Sequence, residues 1–203
     1  MKKMISSLSL SIGALALCTL SVQAQLGGGT WHSYSSSYTV QNRTSGCGSF
    51  SSSGGIYTCT VCAGEERTEM RWANWPHQSN YNQFQAQGWF SSGTQKTCIH
   101  QIKSNTGGEA IYIQVTTPGS LRNDNGSVFM TGMANTWFTL NSFFNPANGD
   151  AKAYINGSQK VTRTYTTSDR EWYFKNGVYN NGLPSGGKSQ SKWQSSSFKF
   201  WYK

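Results

Sequence analysis

The chain has 203 residues, is 14% aromatic with eight Trp, and carries a formal charge of +9. Its length suits one all-β domain, and its charge suits an anionic partner: nucleic acid, an acidic glycan or an anionic cell surface. Seventeen basic residues stand against eight acidic ones. That leaves little material for the paired carboxylates of a glycoside hydrolase, and the basic residues form no run of the kind nucleic-acid binders use.

The N-terminus reads as a secretory signal over residues 1–24. Lys2 and Lys3 form its charged start, Ile5 to Leu20 its apolar stretch, and Val22-Gln23-Ala24 its cleavage site. The apolar run is too short and serine-rich for a comfortable membrane span. Residues 25–203 then form the expected mature domain, secreted and monomeric, with no membrane attachment. Removing the leader removes Cys18 and leaves Cys47, Cys59, Cys62 and Cys98. An even count in an exported chain favours disulfides over zinc, with three pairings open.

Beyond the leader no 3.6-residue apolar period stands out, and several runs alternate instead. Gln25 to Gly55 is Ser- and Gly-rich and is expected to hold one edge strand, tied down by Cys47. In Glu66-Arg67-Thr68-Glu69-Met70-Arg71, an extended strand puts Arg67, Glu69 and Arg71 on one face. Two guanidinium groups with a carboxylate between them make an anion site, with Glu69 orienting the arginines. His77 follows Pro76 in a polar stretch and reads as a loop residue. Phe84 to Phe90 alternates less cleanly.

In Cys98-Ile99-His100-Gln101-Ile102-Lys103, alternation places Ile99, Gln101 and Lys103 on one face and Cys98, His100 and Ile102 on the other. Gln101 and Lys103 can donate to a carboxylate. His100 reads equally as a base or as a buried, hydrogen-bonded core residue. Ile111, Ile113 and Val115 share a face, and Ala151 to Ile155 leads into the turn dipeptide Asn156-Gly157. In Trp172 to Asn181, Tyr173, Lys175, Gly177 and Tyr179 share a face, where a Lys beside a Tyr lowers the cost of forming phenolate. Phe198, Phe200 and Tyr202 alternate at the C-terminal end. Gly, Ser, Asn and Pro clusters separate these runs, as in an antiparallel β-sandwich or jelly roll.

Two of these motifs resemble those of the alginate lyases of polysaccharide lyase family 7. The family pattern Arg-Ser/Thr-Glu-Leu-Arg is matched by Arg67-Thr68-Glu69-Met70-Arg71. The pattern Tyr-Phe-Lys-Ala-Gly-Val/Asn-Tyr is matched, in the same order along the chain, by Tyr173-Phe174-Lys175-Asn176-Gly177-Val178-Tyr179. The middle motif, Gln-Ile/Val-His, is altered. Aligning Gln101-Ile102 puts Lys103 at the histidine's place, and aligning His100 puts Cys98 at the glutamine's. The first alignment keeps apolar residues on the core face.

The resemblance implies a concanavalin-like jelly roll with a concave substrate cleft. It also implies β-elimination on a uronate-containing polysaccharide, alginate or glucuronan, with neither metal nor other cofactor. It places Tyr179 as the acid, and as the base too when both lie on one side of the sugar ring. Arg71 and Gln101, assisted by Lys103, are the candidates for neutralising the uronate carboxylate. His100, or less readily His77, is the alternative base, and Arg67, Lys175 and Tyr173 complete the binding set. The chief rival is a non-catalytic carbohydrate-binding module on the same scaffold.

Overall fold

The computed structural model describes residue 26 and residues 28–203, so the expected signal peptide lies outside the described residues. The strands in chain order are β1 (His32–Tyr34), β2 (Tyr38–Arg43), β3 (Ser49–Ser53), β4 (Ile56–Cys62), β5 (Arg67–Trp72), β6 (Asn82–Phe90), β7 (Thr97–Ser104) and β8 (Glu109–Val115). After them come β9 (Leu121–Asn123), β10 (Val128–Met130), β11 (Phe138–Asn145), β12 (Asp150–Ile155), β13 (Ser158–Thr164), β14 (Trp172–Asn180), β15 (Lys188–Gln194) and β16 (Lys199–Tyr202). All the pairings are antiparallel, and they build two sheets that pack as a sandwich, the jelly-roll arrangement. The segment from Gln25 to Gly55, expected to hold one edge strand, supplies β1, β2 and β3.

The seven-stranded sheet has the order β10-β9-β8-β7-β14-β5-β2. The other sheet runs β13-β12-β11-β6-β15-β4-β3 and gains β16 on β6 and β1 on β16. Opposite β11, the other edge of β6 serves two partners in succession: Asn82 to Gln85 pair with β16, and Gly88 to Phe90 with β15.

Alternation explains the core. Phe84, Ala86 and Phe90 of β6, Ile111, Ile113 and Val115 of β8, Trp172 and Phe174 of β14 and Phe200 of β16 meet between the sheets. Each fully buried side chain of this size contributes about 1.5–3 kcal/mol. Asn156 (φ +50°) and Gly157 (φ +78°) form the β12–β13 hairpin turn, where both central residues must take positive φ.

The cysteines depart from the expected framework. Cys47 and Cys62 are bonded, while Cys59 and Cys98 are free and buried. Cys59 and Cys62 lie three apart on β4 and so point to opposite faces. Cys59 packs on Val61, Val178 and Leu183 inside the sandwich, while Cys98 lies in the other sheet and donates to the His100 carbonyl. Glu65 closes the same loop as the disulfide. Burial opposes its ionisation, but the backbone N–H groups of Cys62, Gly48, Gly46 and Ser45 hold its carboxyl below the usual range. Cys47, Cys62 and Glu65 cluster tightly, yet the joined sulfurs and the engaged carboxylate leave no ligand set for a metal.

Gly177 lies opposite Glu69 in the β14–β5 pairing. A Cβ there would sit 2.4 Å from the Thr68 carbonyl oxygen and 2.6 Å from Glu69 Cα. Gly177→Ala therefore forces the two strands apart, with an expected loss of about 1–3 kcal/mol in urea unfolding.

Candidate functional site

The pairing of β5, β14 and β7 assembles the three motifs on the outer face of the seven-stranded sheet. Arg71, Lys175 and Gln101 form one cross-strand row; Arg67 and Tyr179 pair in another, and Tyr173 pairs with Lys103. Along β14, Tyr173 and Tyr179 stand about 20 Å apart at ~3.3 Å per residue. The candidates therefore divide between the two ends of one face.

The centre is a buried ion network. Glu69 is 1% exposed and accepts from Gln101 Nε2 at 2.7 Å, Lys175 Nζ at 3.0 Å and Arg67 Nη1 at 3.4 Å. Burial pulls the Lys175 ammonium below its usual range, against the opposing pull of Glu69. Lys175 is thus a partner of Glu69 and does not stand beside a tyrosine hydroxyl as its sequence neighbours suggested. Glu69 holds Arg67 but not Arg71, so it orients only one of the two arginines.

At one end, the Arg67 guanidinium lies 4.6 Å over the Tyr179 ring. Its Nε donates to Glu66 at 2.8 Å, and Glu66 also binds Arg43. Burial opposes the charge of Arg67, but Glu69 and Glu66 raise its pKa further. At the other end, Arg71 lies 3.9 Å over Tyr173. Its Nη2 donates to Asn74 Oδ1 and Asn105 Oδ1, both at 2.8 Å, and a hollow of about 420 Å³ opens beside it. Lys103 binds Glu109 at 2.7 Å and the Gly107 carbonyl at 3.2 Å. Tyr173 is buried, with its hydroxyl 3.4 Å from the Ser104 carbonyl, whereas Tyr179 is half-buried. The guanidinium that accompanies Tyr179 is therefore that of Arg67, the arginine assigned only to binding from sequence.

Two sequence candidates lie elsewhere. His100 is 1% exposed and points into the core, between Phe84 and Phe174. One ring nitrogen meets Ser142 Oγ at 2.8 Å and the other Asn176 Nδ2 at 3.0 Å. Cys98 pairs with Gln114 and His100 with Ile113, so β7 advances two residues while β8 advances one. This bulge turns Cys98 to the outer face beside Tyr179, while His100 stays on the core face with Ile102, where simple alternation had put all three. His100 therefore does not share the outer face with Tyr179 and Arg67. His77 stacks on Tyr202 of the other sheet at 3.8 Å.

Tyr112 and Asn105 carried no functional signal in the sequence. Tyr112 lies opposite Gln101 and donates to Asn181. Asn105 reaches Arg71 only because the β7–β8 turn folds over the sheet.

Burial lowers the His100 pKa to about 3 from an ordinary 6.5. Between those values the unfolded chain holds the proton and the folded chain does not, so stability falls on acidification through that window. The expected slope is at most about 1.4 kcal/mol per pH unit. His100→Gln flattens it in urea titrations at a series of pH values. Glu69→Ala strands the buried Lys175 ammonium and is expected to cost about 3–5 kcal/mol by the same unfolding measurement.

No family model matches the chain, and no curated protein matches it in sequence. Its fold is that of known polysaccharide lyase structures. The marine family 7 alginate lyase from Zobellia galactanivorans is similar at TM-score 0.62 and 15% identity, over 86% of this chain and 95% of that one. An alginate lyase from Corynebacterium sp. is similar at TM-score 0.61 and 17% identity, over 76% and 81%. A sialidase is also similar, at TM-score 0.61 and 12% identity, over 84% of this chain but 16% of that one.

Proposed function

We propose that the chain is a secreted lyase that cleaves a uronate-containing polysaccharide, alginate first among the candidates, by β-elimination. The stacking of Arg67 on Tyr179, on the outer face of an alginate-lyase fold, carries this reading. The Cys47–Cys62 disulfide and the apolar leader suit export, and no helix among the described residues is long and apolar enough to cross a membrane.

β-Elimination removes the proton at C5 of the uronate. The C5–H electrons form the C4=C5 double bond, the C4–O4 bond breaks, and O4 takes up a proton. The negative charge that builds on the C6 carboxylate must be met by a fixed cation. Arg67 fills that role at the reacting sugar, in preference to Arg71, because it lies against Tyr179. The Tyr179 phenolate takes the C5 proton and returns it to O4 on the same side of the ring. This route needs no histidine on the outer face. Lys103, held by Glu109, acts as a binding cation, and Arg71 receives a carboxylate further along the face. Gln101 and Lys175 act through Glu69 to hold Arg67 in place.

A carbohydrate-binding module is the second reading, since two arginine–tyrosine stacks can bracket an acidic glycan without reacting with it. Incubation with alginate, glucuronan and related polymers decides between them. The lyase forms unsaturated ends that absorb in the ultraviolet, and the module binds without forming them. Absence of that absorbance on every uronate polymer removes the enzyme reading. Tyr179→Phe is expected to lower kcat by about 10²–10⁴ while sparing binding, and a Tyr179→Phe protein of full activity removes Tyr179 from the chemistry.

A further inference from the structure

The strands of the seven-stranded sheet carry six basic residues: Arg43, Arg67, Arg71, Lys103, Arg122 and Lys175. Four of them pair with carboxylates: Arg43 with Glu66, Arg67 with Glu66 and Glu69, Lys103 with Glu109, and Lys175 with Glu69. Among the described residues, Arg71 and Arg122 have no carboxylate within ion-pair distance. Arg71 is held by two amides, but Arg122 has only the Gln114 carbonyl oxygen at 3.3 Å. Its Nε is buried and has no hydrogen-bond partner. A half-buried guanidinium left so poorly paired is costly unless an anion completes it.

The register shows where that anion would lie. Arg43, Arg67, Tyr179, Cys98, Gln114 and Arg122 are successive cross-strand partners from β2 to β9. Leu121 and Val115 turn into the core, so Arg122 and Gln114 face outward with Tyr179. Three inter-strand steps separate Tyr179 from Arg122, about 14 Å at ~4.8 Å each. A glycan crossing the strands at Tyr179 meets cations partly neutralised by Glu66 on one side, and one with no carboxylate partner on the other.

We infer that Arg122, supported by Gln114, forms a remote subsite that binds the carboxylate of a uronate several units from the bond cleaved. This rests on the lyase reading for the direction of the chain, but it concerns binding and can be read without turnover. The subsite makes affinity depend on chain length: oligomers too short to reach Arg122 gain nothing from it.

The test is calorimetric titration of Tyr179→Phe protein with oligouronates of increasing length, from the disaccharide upward, with and without Arg122→Ala. The expected result is a step of about tenfold in affinity at one length, lost in Arg122→Ala, partly restored in Arg122→Lys and weakened by salt. Shorter oligomers bind both proteins equally. Affinity that rises smoothly with length, or an equal loss at every length in folded Arg122→Ala, overturns the subsite and leaves the lyase reading standing. No affinity at any length overturns both. Equal thermal midpoints for the two proteins separate lost binding from lost folding.

Discussion

A carboxylate taken out of water must be surrounded by donors or lose its charge, and Glu69 illustrates the first outcome. One oxygen receives the Gln101 amide, the other the Lys175 ammonium and the edge of the Arg67 guanidinium. These donors come from β7, β14 and β5, so a single acid fixes the lateral order of three strands. Gly177 makes this possible, because only a residue without Cβ lets β14 lie close enough to Glu69. The outer face is thereby stiff at its centre, and the exposed groups are its two ends.

That stiffness bears on chemistry. An arginine on a flexible stem loses entropy when it clamps a ligand, and one held by Glu66 and Glu69 has already lost it. Arg67 thus offers a fixed charge to Tyr179, at the cost of having part of that charge met by the protein itself. Arg71 is arranged differently, its position set by two neutral amides that leave its charge unmet. The two arginines of one motif therefore have different characters, although they stand four residues apart on the same strand.

The fold was largely legible because period-two patterns are local. Ile111, Ile113 and Val115 turn inward as alternation requires, and Asn156-Gly157 makes its hairpin. The shared face of Arg67, Glu69 and Arg71 on one strand, and that of Tyr173, Lys175 and Tyr179 on another, followed from the same rule. What alternation could not give was any feature set by a neighbouring strand. The bulge at Ile99 is a mismatch between β7 and β8 and has no local signature, so Cys98 and His100 were put on one face. The choice of Glu69's partners depends on register, and the Asn105 contact with Arg71 depends on a turn. The cysteines misled for a related reason: parity suggests bridges, but Cys59 faces the interior of the sandwich while the bulge turns Cys98 to the outer face of the other sheet.

The bulge also bears on how firmly the imidazole is held inside. Ile99 is the extra residue of β7, so Cys98 and His100 face opposite sides although they stand two apart in the sequence. Removing Ile99 would restore an even ladder with Cys98 still outward and His100 still among the aromatic rings. The burial of His100 therefore does not depend on the bulge, whereas the outward turn of Cys98, with Ile99 in place, does.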